Sequence, residues 1–479
     1  MMIPNWLHQR AKVSPELSAL VGKEGQWNFR ELYEASLGIA QQLHSFNIAS
    51  GDRVALLSHS NEETVLFIHA SWLLSVEVVF LNSRLTEDEL EWQINDAEVE
   101  IVVIDDRVTQ TPILDGVECL SYSTIRQAER KEFEVVELWE EDRTLSVMYT
   151  SGTTGVPKGV RQTAGNHTSS ALASVLNLGL TDRDSWLCMM PLFHISGLSI
   201  IIRSVIYGME TRLYEKFDAK EAAAQITAGT VTAMSVVALT LDQIVRVIEE
   251  GNSKAHPTFR TMLVGGGPVP LDYLERAAEC GLPILQTYGM TETSSQTATL
   301  GKADAVRKLG SAGKPLFFNQ IKIKGTDQAR EVGEVLIKGP HVTPGYIGSQ
   351  SNRSPLTEDG WLATGDAGYL DEEGYLFIVD RRADLIISGG ENIYPAEIEN
   401  VLLAHPAVRE AGVCAKDDDQ WGQVPVAFLI SDQVSEEEIL AYCAQHLARY
   451  KVPKEIRFVD QLPRNASNKL MRFELKKSL

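Results

Sequence analysis

A short apolar run, Leu145–Tyr149, opens directly into Thr150-Ser151-Gly152-Thr153-Thr154-Gly155-Val156-Pro157-Lys158-Gly159, and this junction limits the folds open to the chain. Apolar and β-branched residues bounded by a glycine cluster read as a buried strand. Glycines let the backbone approach an anion closely, successive N–H groups can form a nest, and the hydroxyls with Lys158 add donors. By itself such a loop also suits a surface turn. The segment fails the Walker pattern: Pro157 stands where the second glycine is needed, and Gly159 replaces the metal-binding Ser/Thr.

Other strand-like runs, Val54–Leu57, Ile101–Ile104, Thr232–Val237, Thr261–Val264 and Pro283–Gln286, alternate with helical patterns and end in polar or glycine-rich segments. That alternation predicts parallel α/β layering, with the loops at the carboxyl ends of the strands facing a common cleft. The longest apolar stretch, Val65–Leu81, is interrupted by His69 and Glu77. It predicts a buried helix followed by the strand VEVVFL rather than a membrane span. From Lys314 to Asp380 short alternating runs such as GEVLIKG and GYLFIVD predict a β-rich subdomain, about residues 314–380.

After Asp380 the pattern resets. Leu385–Ile387 reads as a strand, Pro395 as the first residue of a helix, and Ile398, Val401 and Leu402 as that helix's apolar face. Two strands, a helix near Ser435–Leu447 and a final strand Ile456–Val459 follow. The 479 residues are too many for one core. The expected fold is α/β: a large N-terminal domain, residues 1–382, of layered sheets plus the β-rich subdomain, and a small α+β C-terminal domain, residues 383–479.

Charge and cysteine usage exclude several classes. With 44 Lys+Arg against 65 Asp+Glu the net charge is −21, which repels phosphate backbones and argues against a nucleic-acid partner. A nucleotide must then be held by local donors. Cys119, Cys188, Cys280, Cys414 and Cys443 form an odd, scattered set without a CxxC pair, which predicts buried thiols in a reducing cytoplasm. MMIPNWLHQRAKVSPE lacks the apolar core of a signal peptide, and no membrane insertion is expected. A homo-oligomer is left open.

Further motifs follow in order. Gly265-Gly266-Gly267-Pro268 succeeds a strand and can present flat backbone to a purine. In Gln286-Thr287-Tyr288-Gly289-Met290-Thr291-Glu292, a tyrosine can stack on a base, a threonine bind phosphate and a carboxylate hold Mg²⁺. Trp361-Leu362-Ala363-Thr364-Gly365-Asp366 offers a carboxylate for ribose hydroxyls. Asp380–Asp384, Ser388–Pro395 and Pro463–Lys469 complete the series.

These segments, in this order and across essentially the whole chain, resemble the signature of the acyl-CoA synthetase, adenylation-domain and luciferase superfamily. The resemblance implies an ATP-dependent ligase that activates a carboxylic acid as an acyl-AMP and passes the acyl group to CoA. It implies that Thr150, Ser151, Gly152, Thr153, Thr154 and Lys158 embrace the ATP phosphates, that Gly266 and Tyr288 flank adenine, and that Thr291 contacts the α-phosphate. It makes Glu292 the Mg²⁺ ligand and Asp366, with Arg381 nearby, the ribose site. Lys469 resembles the catalytic lysine on a mobile C-terminal domain. Ala383 falls at the hinge, where many relatives carry Asp or Lys, and Gly389, Gly390, Glu391 and Asn392 form the loop that faces CoA in the second step.

The stretches FHISGLS, LVGGGPVP, QTYGMTETSSQ, GSAGKPLF and RNASNKL resemble, within the superfamily, the bacterial ligases that join o-succinylbenzoate to CoA. That acid is an aromatic dicarboxylate. His194 occupies the gate position beside the acyl site, and Ser196, Gly197, Ser235, Gly289 and Ser295 are the expected pocket residues. Arg84 is a candidate for the second carboxylate. Two alternatives stay open: another aryl- or medium-chain-acid–CoA ligase, and a stand-alone adenylation protein that loads a carrier protein.

Overall fold

The computed structural model describes residues 1–85, 87–109, 115–150, 157–266, 269–301, 303–304, 307–381, 384, 386–388, 391–418, 421–447, 449–465 and 470–479, the side chains of 88, 380, 381, 387, 391 and 392 excepted. Two large sheets dominate. The first orders its strands Lys158–Thr163, Thr144–Thr150, Glu77–Asn82, Arg53–Ser58, Ile101–Ile104 and Glu118–Ser121, parallel except for the first. The second has nine strands; Ile284–Met290, Thr261–Val264, Ala233–Val236, Ser185–Cys188, Glu210–Leu213 and Ser18–Val21 form its parallel centre.

Strand alternation explains the layering, because successive side chains leave a strand on opposite faces. Val54 and Leu56 enter the largest core, while Ala55 and Leu57 enter a separate one with Leu90 and Ile94. In the second sheet Trp186 and Cys188 join that same largest core, while Leu187 points to another cluster with Met234 and Ile244. The two sheets therefore share one helical layer, to which Trp6–Val13, Phe29–Ser45, Glu62–Leu73 and Ile195–Tyr207 contribute. Glu62–Leu73 is buried on every side except at Glu63, as a helix apolar all round requires.

Gln320–Ile323, Gly333–Lys338, Leu362–Leu370 and Leu376–Arg381 form an antiparallel four-stranded sheet. Lys314–Pro315, expected to begin this unit, instead pairs with Ser295–Thr299 at the edge of the nine-stranded sheet. A last sheet contains Ile386–Ser388, Glu391–Ile393, Val408–Asp418, Gly422–Ser431 and Glu455–Phe458. Pro395 begins the helix Pro395–Leu403, whose Ile398 and Leu402 are fully buried. The short helix Arg472–Lys477 was not anticipated; it packs Leu475 against Cys414 and Phe428.

Thr150 and Lys158, which flank the glycine-threonine segment, face each other on antiparallel neighbouring strands. Two further expectations need correction. The strand beginning at Ile284 runs on through Tyr288 to Met290, because pairing with Ser295–Thr299 extends it. Cys119 is exposed on the edge strand Glu118–Ser121; the other four thiols are buried and free. Among the described residues no helix is long and apolar enough to cross a membrane.

Burial also sets the acid response. His69, His167 and His341 are enclosed, which holds them neutral, at about 3, 3 and 4. In the unfolded chain each titrates near the ordinary ~6.5. The unfolded state thus binds more protons below that pH, and stability falls as pH drops, by about 1.4 kcal/mol per unit per histidine. Urea unfolding at pH 7.5 and pH 5 should show this loss, and His69→Leu should flatten it. Equal unfolding free energies at the two pH values would refute the neutral-histidine account.

Candidate active site

Four segments distant in sequence meet at the carboxyl ends of the strands. Lys158 opens the strand Lys158–Thr163, and its ammonium lies 5.4 Å from the ring centroid of Tyr346. The Tyr346 hydroxyl donates to Glu292 Oε1 at 3.5 Å, so one phenol touches both the loop lysine and the carboxylate of the Thr291–Thr293 turn. Burial, then the Glu292 charge, push the Tyr346 hydroxyl well above its ordinary value, keeping it a donor. That turn is followed by Ser294 at φ 49° and Ser295 at φ 110°, both in the left-handed region that side chains avoid.

Beside the turn, the Tyr288 hydroxyl donates to Asp366 Oδ2 at 2.7 Å. Asp366 is only 7% exposed and pairs across the four-stranded sheet with Arg381. Tyr288, Asp366 and Arg381, expected together at the nucleoside, are thus neighbours, although Arg381's side chain is outside the described residues. Gly265 and Gly266 follow the strand Thr261–Val264, Gly265 backing onto Thr287 and Gly266 onto Val237.

The residues expected on the acid side gather at the helix Ile195–Tyr207, with His194 at its N-cap position and making no side-chain capping bond. The preceding segment is fixed by Leu192 N–H donating to Ser60 Oγ at 2.9 Å, which ties it to the end of the six-stranded sheet. Phe193 meets the His194 ring edge-on at 4.7 Å, and exposed Arg84 stands 6.0 Å from the Phe193 ring centroid. Burial first, then the Arg84 charge, lower His194 to about 4, so it is neutral at physiological pH. Ser196 is half-buried at the start of this helix.

The arginine that sequence reasoning missed lies deeper. Arg203 is 2% exposed; its guanidinium packs over Trp186, 5.5 Å from the centroid, and donates to Ser295 Oγ at 3.1 Å. Trp186 in turn donates to Ser235 Oγ at 3.2 Å. Arg203 therefore links two of the expected pocket serines. Arg203 Nε has no hydrogen-bond partner, and no carboxylate pairs with this cation among the described residues. A charged residue inside ISGLSIIIRSVIY is the signal that could have found it, since burying an unpaired cation is costly.

Gly197 and Gly289 are each backed closely by main chain. A Cβ on Gly197 would meet the carbonyls of Met190 and Pro191, and one on Gly289 would strike the carbonyl of Ser295. Ser151, Gly152, Thr153, Thr154, Ala383, Gly389, Gly390 and Lys469 lie outside the described residues, as do the side chains of Glu391 and Asn392. Thr150 ends the strand that enters the glycine segment.

The sequence profile of the AMP-binding enzyme family matches residues 7–347, and that of the AMP-binding enzyme C-terminal domain matches residues 397–469. A 2-succinylbenzoate–CoA ligase of Geobacillus sp. (strain WCH70) is 47% identical over 480 residues, covering 99% of this chain and 97% of the relative. The enzyme of that name from Bacillus subtilis (strain 168) is 45% identical over 477 residues, covering 99% and 97%. Two solved structures of o-succinylbenzoate CoA synthetase from Bacillus subtilis, one with the acyl-adenylate OSB-AMP and one with ATP and magnesium, each superpose with TM-score 0.94 at 44% identity. Both cover 99% of this chain, which covers 98% and 100% of theirs. The chain belongs to the AMP-binding enzyme family and is an adenylate-forming ligase.

The two crowded glycines yield a stability test. Gly197→Ala and Gly289→Ala should each cost about 3 kcal/mol or more, since backbone carbonyls cannot yield as side chains do. Gly301→Ala, whose Cβ would meet nothing nearer than 3.8 Å, should stay within about 0.5 kcal/mol of wild type. Chemical unfolding measures all three, and a neutral Gly289→Ala would show that the strand can shift aside.

Proposed function

We propose that this protein joins o-succinylbenzoate to CoA with ATP, giving o-succinylbenzoyl-CoA, AMP and pyrophosphate. In the first half-reaction a substrate carboxylate oxygen attacks the α-phosphorus, and the bond to pyrophosphate breaks. In the second, the CoA sulfur attacks the acyl carbonyl and AMP leaves. The observation that carries the choice of acid is the buried guanidinium of Arg203. A dicarboxylate brings its own counter-ion to that cation, whereas benzoate or octanoate would leave it unpaired. The full-length similarity to ligases for this acid supports the same reading.

Within the site, residues Thr150 to Lys158 hold the β- and γ-phosphates, Tyr288 and Gly266 flank adenine, and Asp366 with Arg381 takes the ribose. Thr291 contacts the α-phosphate. His194, neutral and packed on Phe193, walls the acyl side without adding charge. Glu292 suits Mg²⁺, a hard cation that takes one or two carboxylates and otherwise keeps water and phosphate oxygens. Bound there, the ion would offset phosphate charge. Two anions must meet in the first step, so their repulsion has to be offset by fixed cations, and Lys469 supplies one.

The catalytic lysine lies in a separate unit, residues 383–479. The change from one sheet at Arg381 to the next at Ile386 supports a boundary at 382/383, with Ala383 as the hinge. After adenylation this unit turns, withdrawing Lys469 and bringing Gly389–Asn392 toward CoA. Four buried free thiols and the lack of a membrane-spanning helix among the described residues support a cytoplasmic location.

ATP–pyrophosphate exchange across candidate acids, each with and without CoA, tests the whole reading. A preference for benzoate or octanoate over o-succinylbenzoate in kcat/KM would overturn it, and failure of free CoA to accept the acyl group would favour a carrier-protein loader. Arg203→Met should lower kcat/KM for o-succinylbenzoate by about 3 kcal/mol, on the order of a hundredfold, with the KM for ATP unchanged. Lys469→Ala should lose most adenylation, on the order of 3 kcal/mol, yet still convert supplied acyl-AMP to acyl-CoA. Equal loss in both half-reactions would remove Lys469 from its assigned role.

A further inference from the structure

We propose that Gln162 is a positioning residue for adenylation: its side-chain amide, braced from behind by Ser146 and His167, holds the Thr291–Glu292 turn in register with the strand that begins at Lys158. Gln162 Nε2 donates to the Thr291 carbonyl at 2.9 Å, across 129 positions of sequence. Its Oε1 accepts from Ser146 Oγ at 2.7 Å, and Ser146 Oγ in turn lies 2.8 Å from His167 Nε2. Gln162 and Ser146 are 0% exposed and His167 is 2% exposed. A serine hydroxyl has one proton, so when that proton goes to Gln162, His167 must donate through Nε2–H. The sequence of donors then runs one way, and the Gln162 NH₂ can face only the turn.

The turn needs such a hold. Ser294 and Ser295 both have positive φ, a conformation that persists only where the surroundings over-determine it. Two successive carbonyls supply the grip. That of Thr291 accepts from Gln162 and from Ser294 N–H, and that of Glu292 accepts from Thr343 N–H at 2.8 Å. Thr343 Oγ1 donates in turn to the Arg161 carbonyl. Residues 161 and 162 of one strand therefore secure both carbonyls, one through Thr343 and one directly. Lys158 begins that strand, so the loop lysine and the Thr291–Glu292 pair move as one body.

This inference rests on the assignment of Thr291 to phosphate and Glu292 to Mg²⁺. The test uses the full-length enzyme with Gln162→Met, which keeps length and removes both hydrogen-bonding functions. Misplacement of the turn should reduce the ATP–pyrophosphate exchange rate roughly 10- to 100-fold and raise the Mg²⁺ midpoint, while conversion of supplied acyl-AMP to acyl-CoA stays within about threefold. Should Gln162→Met fail to fold, Ser146→Ala, which removes only the brace, should show the same pattern to a smaller degree. A parallel fall in both half-reactions, or wild-type exchange with wild-type Mg²⁺ dependence, overturns the positioning role. Glu292→Gln separates the two claims. If it shifts the Mg²⁺ midpoint and the Gln162 variant does not, only the brace is wrong; if it leaves the midpoint unchanged, the metal assignment falls and the brace falls with it.

Discussion

The nucleotide end of the molecule depends on one strand, Lys158–Thr163, being held along both edges. On one side it pairs antiparallel with Thr144–Thr150. On the other, Val160 bridges to Tyr346, Arg161 N–H bonds the Gly345 carbonyl, and Ile347 N–H bonds the Gly159 carbonyl. Gly159 is confined between Ile347 and Tyr149, where any side chain would collide with both. A strand at the edge of a sheet with a free side could slide or twist. This one cannot, and so Lys158 and Tyr346 are placed relative to one another by backbone hydrogen bonds, while the turn carrying Glu292 is tied to the same strand through Thr343 and the buried Gln162 amide.

Charge is handled locally because the overall field opposes the ligands. The chain carries −21, while each of its substrates is anionic. Binding therefore falls to cations in enclosed settings, where a charge acts through a lower effective dielectric. Arg203 is the extreme case: burial lowers its proton affinity, and the guanidinium keeps its charge because an arginine starts so high. A lysine there would shed its proton more readily. His194 takes the other course; enclosed and next to Arg84, it is neutral and adds shape without charge.

Much of this was legible in the sequence because the signals were local. Strand periodicity located Arg53–Ser58, Ile101–Ile104 and Thr261–Val264, and Pro395 marked a helix start, since each depends on residues within one element. The motif order carried the family. What the sequence did not show depends on pairing across long separations. That Lys158–Thr163 returns antiparallel against Thr144–Thr150 is one such pairing, and periodicity says nothing of strand direction. Gln162 reads as one polar residue in a short strand until Thr291 is folded against it. The close carbonyls that require glycine at 197 and 289 were likewise invisible, since they come from residues folded against them. Arg203 offered a local clue that the apolar residues around it outweighed.

The two half-reactions of an adenylate-forming ligase make opposite demands. Adenylation brings a carboxylate against a polyphosphate, so a cation between them lowers the barrier. The same cation stabilises the acyl-adenylate once formed, and left in place it would deepen the ground state from which the thiol attack must start. Groups needed in both steps gain from rigidity. Tyr288 and Asp366, joined at 2.7 Å, and Arg203, fixed between Trp186 and Ser295, have this character. A group needed in one step gains from being removable, which is the role proposed for Lys469.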